Sequence, residues 1–352
     1  MDKALKRNSS FELLRLIAMF SIVIYHLFLT IKAKGYEDTW VTGGYTISHF
    51  GVPIFLLITG YFGIKLKLKK IVHLYLYCFC WWILTFVLGC FYFKTANGGG
   101  QIFGCIQPFT KSTGQWFLLP YVILMFISPL LNKAIENFSK KEYVSFLLLF
   151  SFIVFYFGLV CQNKIIDKGH SILYFIYMYL LGRYINIYKV GEQWKKSKIL
   201  CFLMIYNLLL LVFNFALPHV LLKPFRGLVF AYIAPGQIIS SVAVLILFSK
   251  IRIQSKFINY IAASALSVYL FHENIYIPLK GNYALFAYQF EFYNAILVIT
   301  GASLLIMSIS LVLDIVFVRT ILAFVEPIVY KFLSCMSCKI NNIFFYKQNN
   351  EF

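Results

Sequence analysis

The chain has 352 residues, of which 61% are hydrophobic and 13% charged, with a mean hydropathy of +0.79 and a net charge of +19. Soluble domains carry about 25% charged residues, so this composition excludes a soluble enzyme with a single anchor and leaves no length for a separate soluble domain. The positive charge does not point to nucleic acid, because the basic residues sit in short loops between apolar runs, as the positive-inside rule produces.

Ten apolar runs are long enough to cross a bilayer, at 11–31, 44–64, 71–93, 116–132, 143–161, 171–188, 199–217, 227–249, 257–279 and 292–318. The expected fold is therefore all-α, a polytopic transmembrane helical bundle of about ten spans. With the N-terminus inside, 22 of the 32 Lys and Arg fall on the cytoplasmic side and nine outside. That asymmetry predicts both termini in the cytoplasm. The basic KALKR start precedes an apolar run too long for a cleaved signal peptide, so it reads as an uncleaved first span.

The first run, SFELLRLIAMFSIVIYHLFLTI, carries Glu12, Arg15 and His26. Ionisable residues inside a span are costly and mark functional sites. Arg15 and His26 are eleven residues apart, about three helical turns and roughly 16 Å along the axis, so they share a face. Glu12, three residues before Arg15, lies on it too. One stripe thus offers an anion-binding charge near one membrane surface and a proton-transfer group deep inside. In the second run, Gly51, Pro53 and Gly60 can kink the helix and admit close neighbours, and His49 lies near the outer end as an interface histidine or a substrate contact.

The cytoplasmic cluster KLKLKK leads into the third run, with Lys69 and Lys70 at its start. The stretch from Lys94 to Gly114 is the longest external loop; it lacks a phosphate-binding glycine motif and reads as a flexible loop near an acceptor path. Trp116 opens the fourth run, as a belt residue at the interface or a platform for a sugar ring. In the ninth run, His272 lies about fifteen residues from the inner end, as His26 does in the first, so both sit roughly 22 Å deep and can share a site, with Glu273 directly after. Asp314 lies near the cytoplasmic end of the tenth run, placed to balance Arg15 or another cation. The segment 319–352 reads as a cytoplasmic or interfacial tail.

Of eight cysteines, Cys78, Cys80, Cys90, Cys161 and Cys201 fall in or beside apolar runs and read as small buried hydrophobes. Cys335 and Cys338 form a C-x2-C without a second pair or His partner, which gives no metal site, and no metal is expected.

Four motifs in order carry a family resemblance: Arg15-x10-His26 with an acidic residue three positions before the Arg, GVPIFLLITGY at 51–61, WFL followed by SPLL at 116–131, and YLFH at 269–272. Together they resemble the acyltransferase 3 family of bacterial integral-membrane O-acyltransferases, and the resemblance covers 1–318. It implies transfer of an acetyl group from cytoplasmic acetyl-CoA to a hydroxyl of a cell-surface glycan, capsule or exopolysaccharide, at the bacterial cytoplasmic membrane. His26, with Glu12 and His272, would be catalytic, either as general base or as acyl carrier. Arg15, Lys69 and Lys70 would hold the donor, and Trp116 and His49 the acceptor. The family usually places an arginine where Lys69 and Lys70 stand, and a lysine neutralises a phosphate without gripping it bidentately. The implied partners are a surface or lipid-linked glycan, membrane lipids and a separate extracytoplasmic acyl-accepting protein. Intramembrane charges also fit a transporter or flippase for a glycan or acylated metabolite, and a structural subunit of a polysaccharide assembly is a third class.

Overall fold

The computed structural model describes residues 8–36, 38–95, 109, 115–216, 231–274 and 276–345. Nearly all of the expected loop between Lys94 and Gly114 lies outside the described residues, as do Cys105 and the side chains of Cys335 and Cys338.

The described residues form helices and no strand. They are α1 Ser9–Ala33, α2 Thr39–Ile47, α3 Gly51–Phe62, α4 Leu68–Leu88, α5 Leu118–Asn137, α6 Lys140–Phe152, α7 Ile172–Ile187, α8 Lys196–Ala216, α9 Pro235–Ser249, α10 Lys256–Ala262, α11 Ala265–His272, α12 Leu279–Tyr288, α13 Phe292–Leu313 and α14 Arg319–Phe345. Six stretches are long and apolar enough to cross a membrane: Ser9–Ala33, Trp40–Phe62, Leu68–Phe93, Leu118–Asn137, Lys140–Val160 and Phe292–Ser334. The apolar helices α7 and α9 are shorter.

Burial sorts these stretches. The most apolar window is 61% buried in α1 and 72% in the α2–α3 stretch, against 22–33% in the other four. The first two therefore form the middle of the bundle, and the rest present apolar surface outward, as expected where lipid is the solvent. The end of the bundle where α1 begins is termed basal, and the opposite end distal.

Local chemistry explains where the helices begin and bend. Asn8 caps α1 by accepting from the Ser10 amide at 3.1 Å. A tight turn at Ser48–Phe50 separates α2 from α3. It sits one turn before Pro53, whose ring clashes with the preceding turn and which lacks an N–H to donate. The Ser21 hydroxyl donates to the Ser48 carbonyl at 2.6 Å and fixes this bend against α1. Further along, a Cβ at Gly60 would collide with the Tyr179 carbonyl, and one at Gly182 with the Leu57 carbonyl. Glycine at both positions lets the backbones of α3 and α7 touch.

Two expectations change in the structure. The run at 257–279 is a broken helix, α10 and α11, that ends at His272. The break at Ala263–Ser264 is built rather than frayed. The freed Tyr260 carbonyl accepts from Arg319 Nη2 at 3.2 Å, and the Ser264 hydroxyl donates to Asp314 at 2.5 Å. Beyond His272, Asn274 Oδ1 accepts from the Tyr276 amide at 3.0 Å and closes a turn instead of continuing the helix. The second change concerns cysteines. Cys78 is buried, but Cys161 and Cys201 are exposed. Their runs are apolar because they face outward from the bundle, not because they fill its core.

The helix does not end at Val318. It passes through a π-helical stretch, Asp314–Val318, into α14. The cation that Asp314 balances is Arg319, not Arg15; Arg319 Nε donates to Oδ2 at 2.9 Å.

Candidate active site

α1 carries one wall of a cavity of about 360 Å³. Glu12, Arg15, Met19, Ile22 and His26 line it in turn, one helical face seen from end to end. From Glu12 to His26 is fourteen residues, about 21 Å of helix. The opposite walls come from Val52, Phe55 and Thr59 on α3, from Trp116 and Tyr121 around the start of α5, and from Leu266 and Tyr269 on α11.

At the basal end, Arg15 Nη1 donates to Glu12 Oε1 at 2.5 Å. The Glu12 side chain is nearly buried at 6% exposure and that of Arg15 is 29% exposed, so the guanidinium forms the wetter edge of the pair. Lys69 and Lys70 are exposed in the first turn of α4, and the cavity wall reaches α4 at Leu74 instead. Lys69 Nζ lies 5.6 Å from the Tyr330 ring centroid.

At the other end, His26 meets the C-terminal turn of α11. His26 Nδ1 lies 2.9 Å from His272 Nε2 and 3.2 Å from Glu273 Oε1. Lys280 Nζ donates to the same Glu273 oxygen at 2.6 Å. His272 Nδ1 lies 2.6 Å from the Val268 carbonyl oxygen. A carbonyl only accepts, so His272 Nδ1 carries the proton and the neutral ring presents an acceptor at Nε2. His26 Nδ1 must then be the donor toward His272 and Glu273. Its Nε2 is left as a bare lone pair on a residue that lines the cavity. The Val268 carbonyl thus fixes the tautomer of a ring on another helix.

The arrangement can take up a proton at His26 Nε2 and stabilise the imidazolium formed through the Glu273 carboxylate. The ligand atoms of His26, His272 and Glu273 lie within 4.8 Å of one another, near enough to hold a cation. The Lys280 ammonium already supplies a positive charge to that carboxylate.

The structure therefore joins His26 with His272, and Glu12 with Arg15, at two ends of one cavity. Glu12 is not in contact range of the imidazoles in this arrangement; its partner is the guanidinium. His49 is 3% exposed, and neither ring nitrogen has a hydrogen-bond partner among the described residues. It is packed between the rings of Tyr25 and Tyr232, at centroid distances of 4.5 and 4.3 Å. Trp116 lines the cavity with His26 and stands 4.2 Å from the His170 ring. Sequence reasoning missed Lys280, Gln115, Tyr232 and His170. Lys280 lies seven residues after Glu273 and Gln115 directly before Trp116, but the helix stops at His272 and Gln115 precedes α5, so helical periodicity does not carry to either; Tyr232 and His170 lie outside the motifs.

A family model described as an acyltransferase domain matches residues 8–315. No curated protein and no solved structure matches the chain. The matched segment holds both ends of the cavity and all of the residues around His26, and the chain belongs to the acyltransferase 3 family.

Proposed function

We propose that this membrane acyltransferase moves an acetyl group from cytoplasmic acetyl-CoA to a hydroxyl of a cell-surface glycan, capsule or exopolysaccharide. One observation carries the reading: a single cavity joins a guanidinium at its basal end to a bare imidazole nitrogen near its distal end. Arg15 attracts the donor phosphates, with Lys69 and Lys70 adding positive potential to the basal face. The apolar walls between Met19 and Phe55 suit the pantetheine arm, which would present its thioester to His26.

His26 Nε2 takes the proton of the acceptor hydroxyl while that oxygen attacks the thioester carbonyl. Collapse of the tetrahedral intermediate expels the CoA thiolate, which recovers the proton from Nε2. Glu273 and His272 hold the Nδ1 proton and stabilise the transient positive charge. In the other route, Nε2 attacks the thioester first and expels the CoA thiolate; the acceptor oxygen then takes the acetyl group from Nε2, and the hydroxyl proton goes to that thiolate. Lys280 holds the Glu273 carboxylate in place, and Trp116 belongs to the acceptor side, with His49 packed against Tyr232 of the same cavity wall.

The proposed orientation has ten spans with both termini in the bacterial cytoplasm. Support comes from the six long apolar stretches, from α7 and α9, from α8 and the α10–α11 pair, and from the sequence asymmetry that assigns 22 of 32 Lys and Arg to the cytoplasmic side. A separate extracytoplasmic protein is proposed to receive the acyl group where the glycan is remote from the membrane.

The test is transfer of isotopic label from acetyl-CoA in inverted vesicles containing cell-envelope glycan, with the natural protein, His26→Ala and Arg15→Ala at matched levels. The expected result is labelled glycan with the natural protein, none with His26→Ala, and a raised KM for acetyl-CoA with Arg15→Ala. Normal labelling by both variants would sink the mechanism and favour a carrier.

A further inference from the structure

A second cavity of about 280 Å³ is also lined by Trp116. Its lining includes Gln115, Trp116, Pro120, Asp167 and His170. Trp116 lines the larger cavity as well, so the two cavities share this residue.

Three features make this more than a surface dent. Gln115 is 1% exposed, and its Nε2 donates to the Leu270 carbonyl at 3.0 Å. Its Oε1 is buried with no hydrogen-bond partner among the described residues. An unmet buried acceptor is costly, and a ligand hydroxyl would satisfy it. Second, Asp167 stands exposed in the lining with a carboxylate that only accepts when ionised. Third, the backbone here is held in an unfavourable conformation. Asp167 and Lys168 have φ of 44° and 53°, in the left-handed region that non-glycine residues rarely occupy. His170 Nδ1 donates to the Asp167 carbonyl at 2.8 Å, which pins the imidazole beside the indole.

Among the described residues, acceptors dominate the polar part of this pocket, and Phe109, Trp116, Leu119 and Pro120 supply the apolar part. That pairing selects a ligand with several hydroxyl donors and a C–H face. Asp167 disfavours an acid. At ~30 Å³ per water, the space is worth about nine waters, the scale of one ring and not of a chain.

We infer that this pocket binds one neutral monosaccharide unit, held by Gln115 Oε1 and the Asp167 carboxylate beside Trp116, the residue it shares with the main cavity. Its role as the acceptor subsite rests on the proposed acyl transfer, but its binding does not. Gln115 also ties the pocket to the catalytic helix, since Leu270 precedes His272 by two residues on α11. Filling the pocket therefore bears on the helix that sets the His26 tautomer.

The experiment is saturation-transfer NMR on the full chain in nanodiscs with methyl glycosides of neutral hexoses, N-acetylhexosamines and uronic acids. Saturation should reach the ring protons of at least one neutral glycoside and none of the uronic acids. Asp167→Ala should weaken that binding about tenfold, the scale of one lost hydrogen bond to a charged group. Gln115→Met should weaken it as well, and His26→Ala should leave it intact. The proposal is overturned if no neutral glycoside shows transfer, or if Asp167→Ala leaves the signal unchanged. Binding without any label transfer from acetyl-CoA would keep the subsite and remove the acyltransferase reading.

Discussion

Two buried charged clusters sit on the same pair of structural neighbours, α11 and its surroundings, and they are built on opposite terms. Around Asp314, every lone-pair direction is taken. Oδ1 accepts from Tyr77 at 2.6 Å and Trp81 at 3.1 Å, and Oδ2 from Ser264 at 2.5 Å and Arg319 at 2.9 Å. Around His26, the pairing stops one atom short. Nδ1 is held by His272 and Glu273, and Nε2 belongs to a residue lining an open cavity. A saturated buried network rigidifies, whereas an unsaturated one retains a group able to react. The first cluster fixes the broken helix at Ser264, and the second uses that fixed position to hold His272 against His26, whose Nε2 stays unpaired among the described residues.

The comparison is broken most severely at His26. His26→Ala should lower acyl transfer by about 10²–10⁴-fold, the range for a lost general acid–base group, with membrane levels unchanged. If Asp314→Ala lowers activity as much at constant protein, the contrast between reactive and structural clusters is wrong.

Asp314→Ala should instead act on the fold. It strips the partner from Arg319, whose side chain is 25% exposed, and leaves Tyr77, Trp81 and Ser264 without their acceptor. Removing one member of a buried pair costs about 3–5 kcal/mol. The measurement is detergent-solubilised unfolding, with the loss of folded protein expected to parallel the loss of activity.

Glu273→Gln separates charge from shape at the reactive cluster. The amide keeps the size of the side chain but removes the charge 3.2 Å from His26 Nδ1. A charge-assisted contact of this kind is worth about 2–3 kcal/mol, so kcat should fall roughly 10²-fold. KM for acetyl-CoA should hold, because Arg15 is at the other end of the cavity. An equal rise in KM would show that Glu273 serves binding and not the transfer step.

How much of this was legible in the sequence follows from what periodicity can reach. Helical spacing placed Glu12 beside Arg15 and put His26 on their face, because those relations lie within one helix. Depth counting brought His26 and His272 to one level although 246 residues separate them. Spacing could not give the hydrogen-bond direction, which depends on the Val268 carbonyl, nor the arrival of Lys280 from the first turn of α12 and of Gln115 from the segment before α5. A charge after an apolar run marks a span's end in sequence, which puts the start of the tail at Arg319. The helix continues because Asp314 neutralises that charge five residues earlier. The broken run at 257–279 was hidden for a related reason: the groups that stabilise the break, Asp314 and Arg319, are supplied by a distant helix.

A glycine crossing offers a smaller effect on the frame that holds both clusters. Gly60→Ala puts a methyl group against the Tyr179 backbone, where no side chain can turn aside. Overpacking of this kind costs about 1–3 kcal/mol. Thermal unfolding should show it, with the KM for acetyl-CoA little changed because α3 lines the cavity from Val52, Phe55 and Thr59 and not from Gly60.

The smallest effect should come from a polar contact that water can replace. At the start of α6, the Glu142 amide donates to Ser139 Oγ at 3.3 Å, and the Ser139 amide donates to Glu142 Oε2 at 2.7 Å. This capping box satisfies two amides that the first turn leaves without helical partners. Both side chains are exposed, so solvent re-forms the lost bonds in a way that it cannot at buried Asp314. Ser139→Ala should therefore cost about 1 kcal/mol in unfolding experiments and leave label transfer unchanged. A cost approaching that of Asp314→Ala would mean that the basal end of α6 is packed against something beyond the described residues, and that exposure alone does not separate the tolerant polar contacts from the structural ones.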